Sequence, residues 1–289
     1  MKRITALLSV MAITLLAQGG NRAAQPATAA ATTLNKVADS TALHYWEAYN
    51  LGDTLHTANK ELWEQGFKEF AHMASRTEQP RAAFERMAAQ LVTNEKTLDY
   101  FTLLAEEHLA DSHSPLYNEE LYIAMLESII ADKNISSLKR DQVSYQLDMA
   151  LKNRIGSEAT DIMLLTRDNS YIYLNNIRGE YILLYLGDPD CSVCNEAKEK
   201  IIASQAITEM VQNHRLMVVS VCVEGKTDTW ETTPAPGEWI DTCDEELSIY
   251  EEELYDMAAI PSFYLLDSNK HVILRDVHAE YVIEYLENL

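Results

Sequence analysis

The stretch GDPDCSVC (187–194) places Cys191 and Cys194 two residues apart, directly after the apolar run 181–186. Such a pair can supply half of a zinc site, close a small disulfide, or exchange electrons with another disulfide. When a CxxC pair lies between a strand and a helix, its first sulfur lies at the helix N-terminus, where partial positive charge stabilises a thiolate. The second sulfur lies one turn inside and can attack a mixed disulfide on the first. The spacing therefore predicts Cys191 as the nucleophile and Cys194 as the resolving thiol.

Two aspartates, Asp188 and Asp190, precede the first sulfur on either side of Pro189. Negative charge disfavours a nearby thiolate, so we expect Cys191 to be only modestly acidic, as in a reductant or isomerase rather than a strong oxidant. A structural role stays open, in which Pro189 fixes the turn and Asp190 caps the helix. The residues expected to support the site are those of this loop: Asp188, Pro189, Asp190, Ser192 and Val193.

The other two cysteines, Cys222 and Cys243, have no motif of their own. They could form a second disulfide or an electron relay, or they could be two small buried apolar side chains. The sequence leaves both readings open, because a bridge needs Cα atoms within about 7 Å. Zinc is disfavoured, since these cysteines lack paired spacing and the histidines are scattered, so neither a metal nor another cofactor is expected.

Acidic residues outnumber basic ones by 45 to 23 among the 289 residues, which gives a formal charge of −22. Sequence-independent binding of nucleic acid and docking on anionic lipid both need clustered Lys and Arg, so the composition disfavours both. We interpret the excess of acidic residues as a surface that is solvated by water.

The first 20 residues have the features of a signal peptide. Lys2 and Arg3 form a basic start, residues 4–17 are mostly apolar, and residues 17–19 offer small side chains for cleavage. Residues 21–37 predict a flexible linker. We therefore expect a soluble periplasmic or secreted protein without stable membrane insertion. In such an oxidising compartment a CxxC pair is more often redox-active or disulfide-bonded than metal-bound.

Residues 38–153 predict an all-α helical domain. Apolar side chains recur at helical spacing, as at Trp63, Phe67 and Phe70, and Pro80 stands at a suitable helix start. We expect five or six helices with short connections, whose aromatic stripes form a core.

Residues 154–289 alternate between strand and helix patterns, which implies an α/β domain whose sheet is covered on both faces. A hairpin is expected around residues 167–169. The other expected elements are strands at 181–186, 216–223 and 271–274, and helices at about 192–213 and 245–257 and at the C-terminus.

The C-terminal domain resembles the thioredoxin superfamily, in particular its exported redoxin-type branch. The stretch YILLYLGDPDCSVCNEAKEKI (181–201) is similar to the active-site strand, loop and helix of that family. The stretch AAIPSFYLLD (258–267) is similar to the segment whose proline is cis and faces the disulfide. The resemblance implies a thioredoxin-like fold, a cis Ile260–Pro261 bond, and an Ile260 backbone that binds an extended substrate peptide.

Some positions depart from the family pattern. Asp190 stands where a Trp usually precedes the first cysteine, and Ser192 and Val193 replace Gly-Pro. Tyr185 falls at the position of the buried acid of thioredoxin, and Ala197 at that of the acidic residue of exported relatives. The group that would carry protons is therefore unassigned.

The helical part is similar to an uncharacterised domain found ahead of redoxin domains in exported Gram-negative proteins. The stretches that carry this resemblance are HYWEAYNLGDT, SPLYNEELYIAMLES and KNRIGSEATD. The whole chain therefore predicts an exported thiol–disulfide oxidoreductase with protein disulfides as substrates and an upstream reductant as partner. The alternative is a non-catalytic binding or scaffold protein, in which the helical domain binds an unknown protein.

Overall fold

The structure is a computed structural model that describes residues 39–49, 51, 59–112, 114–257 and 259–289. The predicted signal peptide and linker lie outside these residues. Within them, the chain is helical up to Leu151 and every strand comes later. The predicted combination of a helical N-terminal domain and an α/β C-terminal domain is confirmed. In the described part of the chain, none of the helices has the length and apolarity needed to cross a bilayer.

The helices of the N-terminal domain begin where side chains can cap them. Asn59, Asn94, Asn118 and Ser136 each accept a backbone N–H from the first turn that follows. Pro80 is the first residue of its helix, where its missing N–H has no cost. After a helical segment at 39–44 and a 3₁₀ turn, the α-helices are α1 (Lys60–Ala74), α2 (Pro80–Leu91), α3 (Glu95–Ala105), α4 (Glu119–Ala131) and α5 (Ser137–Leu151).

The core of this domain is aromatic, as the helical spacing predicts. Phe67, Phe70, Phe84 and Phe101 are fully buried and contact one another edge-on or tilted. Burying one such side chain contributes about 1.5–3 kcal/mol. The core accounts for why these short helices hold together, because helices of 11 to 15 residues are marginal alone in water.

The C-terminal domain is built on one mixed sheet, whose strands in the described residues have the order β2-β1-β5-β4-β3-β6-β7. The central strands β3, β4 and β5 are parallel, and the outer pairs are antiparallel. The strands are β1 (Met163–Thr166), β2 (Tyr171–Tyr173), β3 (Tyr181–Gly187), β4 (Leu216–Cys222), β5 (Ile240–Cys243), β6 (Ser262–Asp267) and β7 (Val272–Val277).

Apolar side chains pack against both faces of the sheet, as expected for buried strands. One face is covered by three helices, α6, α7 and α10, and the other by short helical turns and loops. The predicted hairpin is confirmed, with Leu164 opposite Ile172 and a left-handed Asn169 in the turn. The helices after β1 are α6 (Ser192–Ala203), α7 (Gln205–Gln212), α8 (Asp228–Thr232), α9 (Ser248–Glu251) and α10 (Ala279–Glu287).

Two predicted helices in this domain need correction, and one strand was not predicted. The single helix at 192–213 is two helices, because Ser204 leaves the helical backbone and its hydroxyl accepts the N–H of Ile207. The helix at 245–257 is only α9, because Leu247 and Glu253 adopt left-handed backbone conformations on either side of it. Strand β5 was not predicted, because its four residues follow a polar, proline-containing stretch.

Buried polar contacts join the two domains. The guanidinium of Arg275, on β7, is 6% exposed and binds the carboxylate of Glu119 on α4. It also donates to the carbonyls of Met149 and Ala150 at the end of α5, at 3.1 and 3.0 Å. These bonds fix β7, and the segment that follows it, against the helical domain.

Candidate active site

Cys191 and Cys194 form a disulfide with Cα atoms 5.2 Å apart, at the junction of β3 and α6. Cys191 is the N-cap residue of α6, and its Sγ accepts the backbone N–H of Cys194 at 3.1 Å. Its side chain is half-buried, whereas Cys194 has no exposed surface. The Cys191 sulfur is therefore partly accessible at a helix N-terminus, whereas the Cys194 sulfur is buried.

The loop before the disulfide is held by its own polar groups. The Asp188 carboxylate accepts the N–H of Asp190, and the Asp188 carbonyl accepts the N–H of Cys191, both at 3.1 Å. The Asn195 amide donates to the Pro189 carbonyl at 2.8 Å. The structure thus has Asp188 in a loop-building role.

Asp190 does not cap the helix, the role that the sequence had left open for it, because Cys191 occupies the N-cap position and Asp190 is exposed. Ser192 and Val193, the other predicted loop residues, are the first residues of α6. Both are exposed, so the face of the helix around the disulfide is open to a second molecule.

Tyr185, the residue that the resemblance places at the buried acid of thioredoxin, lies on β3 and contacts Cys194. Its hydroxyl donates to the carbonyl of Cys194 at 2.9 Å, and its ring stacks on Phe263 at 5.2 Å. Burial raises the pKa of Tyr185 well above its ordinary value. The phenol therefore stays protonated near neutral pH and positions the helix without acting as a base.

The predicted substrate-binding pair, Ile260 and Pro261, is joined by a cis peptide bond immediately before β6. Both residues line a groove of about 530 Å³ together with Val193 and Ala197 of α6. The structure thus brings the CxxC helix and the prolyl segment to the two sides of one groove. Asp111 of the helical domain also lines it.

Cys222 and Cys243 are register partners on the parallel strands β4 and β5. Both are free and buried, so the second disulfide considered from the sequence is not formed. Paired residues of adjacent strands project from the same face and side by side, rather than toward each other. Burial raises the pKa of Cys222 to about 11 and that of Cys243 to about 12, which keeps both thiols protonated.

One potential ligand cluster in the described residues was not foreseen from histidine spacing. The carboxylates of Glu64 and Glu107 and the imidazole of His108 come within 4.8 Å of one another. Glu64 already forms an ion pair with Lys68, which lowers the pKa of the Glu64 carboxyl. A lysine outside the cluster therefore already neutralises one of its two carboxylates.

Two features of the site could not be found from sequence motifs. Asp111 and His278 line the groove, but they come from a loop of the other domain and from the start of α10. No local pattern links them to the CxxC, because only the packing of the domains brings them together.

The chain is similar to one protein-family model and to several solved structures. Residues 31–153 match the family described as "Domain of unknown function (DUF5106)". A crystal structure of a thioredoxin-like protein from Bacteroides caccae is 28% identical, with a TM-score of 0.78. That likeness covers 94% of this chain and 99% of the other, and so extends over both domains.

Two further solved structures match the C-terminal half. The C-terminal domain of an uncharacterized protein from Bacteroides fragilis is 34% identical, with 47% of this chain and 98% of that chain covered and a TM-score of 0.45. The thioredoxin domain of a thiol-disulfide oxidoreductase from Bacteroides vulgatus is 16% identical, with coverage of 47% and 96% and a TM-score of 0.41. No curated protein sequence matches the chain.

Proposed function

We propose that the chain, whose C-terminal domain has a thioredoxin-like fold, is a thiol–disulfide oxidoreductase of the reductase or isomerase type. The observation that carries the proposal is the asymmetry of the cysteine pair. The half-buried Cys191 receives an N–H bond at a helix N-terminus, while its partner Cys194 is fully buried. An accessible nucleophile and a protected resolving thiol are what disulfide exchange needs.

The reaction starts from the reduced pair. The Cys191 thiolate attacks one sulfur of a substrate disulfide, forms a mixed disulfide, and releases the other substrate sulfur as a thiolate that takes a proton from water. The Cys194 thiol then loses its proton to solvent, and its thiolate attacks the sulfur of Cys191. The second substrate thiol leaves, and the pair is oxidised to the disulfide form of this structure. Two electrons have passed to the substrate.

A second dithiol must return the pair to the reduced state by the same two-electron exchange. We propose a membrane-associated reductant upstream for this step, and protein disulfides as substrates. An extended substrate would lie in the groove between α6 and Pro261, with its backbone against that of Ile260. This placement is supported by the lining of the groove, which joins both elements.

We place this activity outside the cytoplasm, in the periplasm or medium. The support is the basic and apolar start of the sequence together with the cysteine pair, which suits a compartment where disulfides form. Fractionation of cells that produce the full chain, with N-terminal sequencing of the product, tests this location.

The activity is tested by reduction of insulin with dithiothreitol as the electron donor. We expect the wild-type chain to accelerate the reaction and Cys191→Ser to abolish the acceleration. Cys194→Ser should trap a mixed disulfide with substrate, which mass spectrometry detects. Cys243→Ala is the matched control, because it removes a buried cysteine without touching the pair, and it should retain the rate.

Equal and negligible rates for the wild type and Cys191→Ser would overturn the proposal. They would favour the second candidate, a binding or scaffold protein that retains the fold with a structural disulfide. The observation behind that candidate is the altered loop, with the exposed Asp190, Ser192 and Val193 in place of the family residues.

A further inference from the structure

The groove between α6 and Pro261, here called the interdomain groove, has walls from both domains. Val193, which lies between the two cysteines in the chain, lines it, so the groove runs next to the CxxC turn. The thioredoxin-like domain contributes four residues of α6, the segment 259–261, and four residues at the end of β7 and the start of α10. The residues of α6 are Val193, Glu196, Ala197 and Lys200, and the last four are Asp276, His278, Ala279 and Glu280. The helical domain contributes Asp111. A substrate that reaches Cys191 through this groove therefore passes a residue of the helical domain.

Asp111 is held in place by hydrogen bonds of its own backbone and of the segment that follows it, beginning with its N–H, which donates to the carbonyl of Glu106 at 3.2 Å. The hydroxyl of the next residue, Ser112, donates to the backbone carbonyl of Asp276, which lines the same groove. Arg275, the neighbour of Asp276, is tied to Glu119 on α4. Because these bonds cross the domain boundary, the Asp111 wall is part of the folded structure rather than a chance approach of a loop.

The charges that line the interdomain groove are mainly negative. Four carboxylates line it, against one lysine, and Lys200 pairs with Glu280. With His278 neutral, the formal charge of the lining is −3. The four carboxylates belong to Asp111, Glu196, Asp276 and Glu280.

The negative lining continues along the boundary between the domains. A second cavity, of about 470 Å³, shares Asp111 and Asp276 with the interdomain groove. It adds the carboxylates of Glu106 and Glu107 on its helical side. A chain that leaves the disulfide in this direction therefore stays in a negative field.

We propose that the helical domain forms one wall of the substrate site through Asp111, and that this wall selects polypeptides with Lys or Arg next to the reacting disulfide. This inference rests on the proposed function and names its substrate class. Attraction between opposite charges favours a cationic segment in the groove, and the same field disfavours anionic small thiols. The helical domain thus acts in specificity rather than as a separate binding module.

The test compares two cyclic disulfide peptides that differ only in flanking residues, Lys in one and Glu in the other. For the full wild-type chain we expect a higher kcat/KM on the Lys peptide, with a preference that shrinks when salt screens the charges. Asp111→Asn should lower the Lys-to-Glu preference about two- to fivefold, through KM. Glu196→Gln, on the exposed face of α6, should act in the same direction.

Asp141→Asn is the matched control, because Asp141 is an exposed aspartate of the same domain outside the groove. It should leave the preference unchanged. Equal rates on both peptides, or an unchanged preference in Asp111→Asn and Glu196→Gln, would overturn the inference while insulin reduction still supports the proposed function. A preference for an anionic small disulfide such as oxidised glutathione would also overturn it.

Peptide binding is measured separately, so that the preference of the groove for Lys can be tested without disulfide reduction. Calorimetry on Cys191→Ser chains, with and without Asp111→Asn, uses peptides in which Ser replaces both cysteines. Tighter binding of the Lys peptide that weakens in the Asp111 variant supports the groove assignment, even if no disulfide is reduced. Equal binding of the Lys and Glu peptides counts against it.

Discussion

The hydroxyl of Tyr185 donates a hydrogen bond to the carbonyl oxygen of Cys194, with 2.9 Å between the two oxygens. This bond links the central strand β3 to the first turn of α6, at the residue that closes the disulfide. Since the ring also packs on Phe263, the helix that carries the redox pair is tied to the centre of the sheet.

Replacing Tyr185 with Phe removes this bond and keeps the ring. We expect the free energy of unfolding of the oxidised chain to fall by about 0.5–1.5 kcal/mol, the usual net value of a hydrogen bond. Urea denaturation followed by circular dichroism measures the change. Tyr173→Phe, which removes an exposed hydroxyl on β2, is the control and should change little. Identical midpoints for the two variants would show that the Tyr185 bond has no net effect on stability.

Gly187, the last residue of β3, leaves room for the same phenol. A Cβ added there would lie 2.8 Å from the Cζ and Oη atoms of Tyr185, which cannot move away because the ring is packed and bonded. We expect Gly187→Ala to lower the free energy of unfolding by about 1–3 kcal/mol through overpacking. Gly237→Ala is the matched control, since nothing lies within 4 Å of its added Cβ. A Gly187 variant as stable as the control would mean that the loop shifts freely.

The chemistry of this site could be predicted from the sequence because the residue patterns that indicate it lie close together in the chain. An apolar strand, a CxxC pair and an amphipathic helix follow one another within about 30 residues, and each has its own pattern. The N-cap assignment failed by one residue, between Asp190 and Cys191. Helix boundaries are set by which side chain meets the free N–H groups, and adjacent polar residues compete for that role.

The interdomain groove could not be predicted from sequence patterns, because its residues come from distant parts of the chain. Asp111 is 80 residues before Cys191 in the chain. Its place beside the site depends on how β7 docks on α4 and α5. Strand β5 was missed for a similar reason, because its four residues are held by pairing with β4 and β1 rather than by their own propensity.

Cys222 and Cys243 should be unreactive in the folded chain, although they are its remaining thiols when the redox pair is oxidised. Their raised pKa values, about 11 and about 12, keep them protonated at pH 8, and burial denies access to reagents. Thiol titration with a chromogenic disulfide should find no reactive group in native protein and two in urea. Finding none in urea would instead demonstrate a bridge between them.

The raised pKa values of Cys222 and Cys243 also determine the direction in which the free energy of unfolding changes at alkaline pH. The folded state favours the neutral thiols, so their contribution is fully present below the ordinary thiol pKa of 9.0. It is lost as the pH rises toward about 11 and about 12, because only the unfolded chain ionises freely. A Cys222→Ala, Cys243→Ala double variant should therefore lose less stability between pH 9 and pH 11 than wild type does.

Arg275 is the cation at the domain boundary, and its removal should be costly. Arg275→Met would remove the donor from the Asp256 carboxylate and from the carbonyls at the end of α5. Glu119 would lose its bond to Arg275 and keep its ion pair with Arg154. We expect a loss of about 2–3 kcal/mol in the free energy of unfolding, because the carbonyls at the end of α5 and the Glu119 carboxylate lose hydrogen bonds from a buried charged donor. Because β7 then loses the Arg275 bonds to α4 and α5, proteolysis between the domains should also become faster.

Arg215→Met is the matched control for this prediction. Arg215 forms a two-pronged ion pair with Glu180 at 2.8 and 2.9 Å, but both side chains are exposed, so its removal should cost less than about 1 kcal/mol. Equal losses for the two variants would contradict the role of Arg275, since bond count rather than burial would then set the cost. A destabilised Arg275 variant should also lose the preference for the Lys peptide, because the Asp111 wall depends on the same docked boundary.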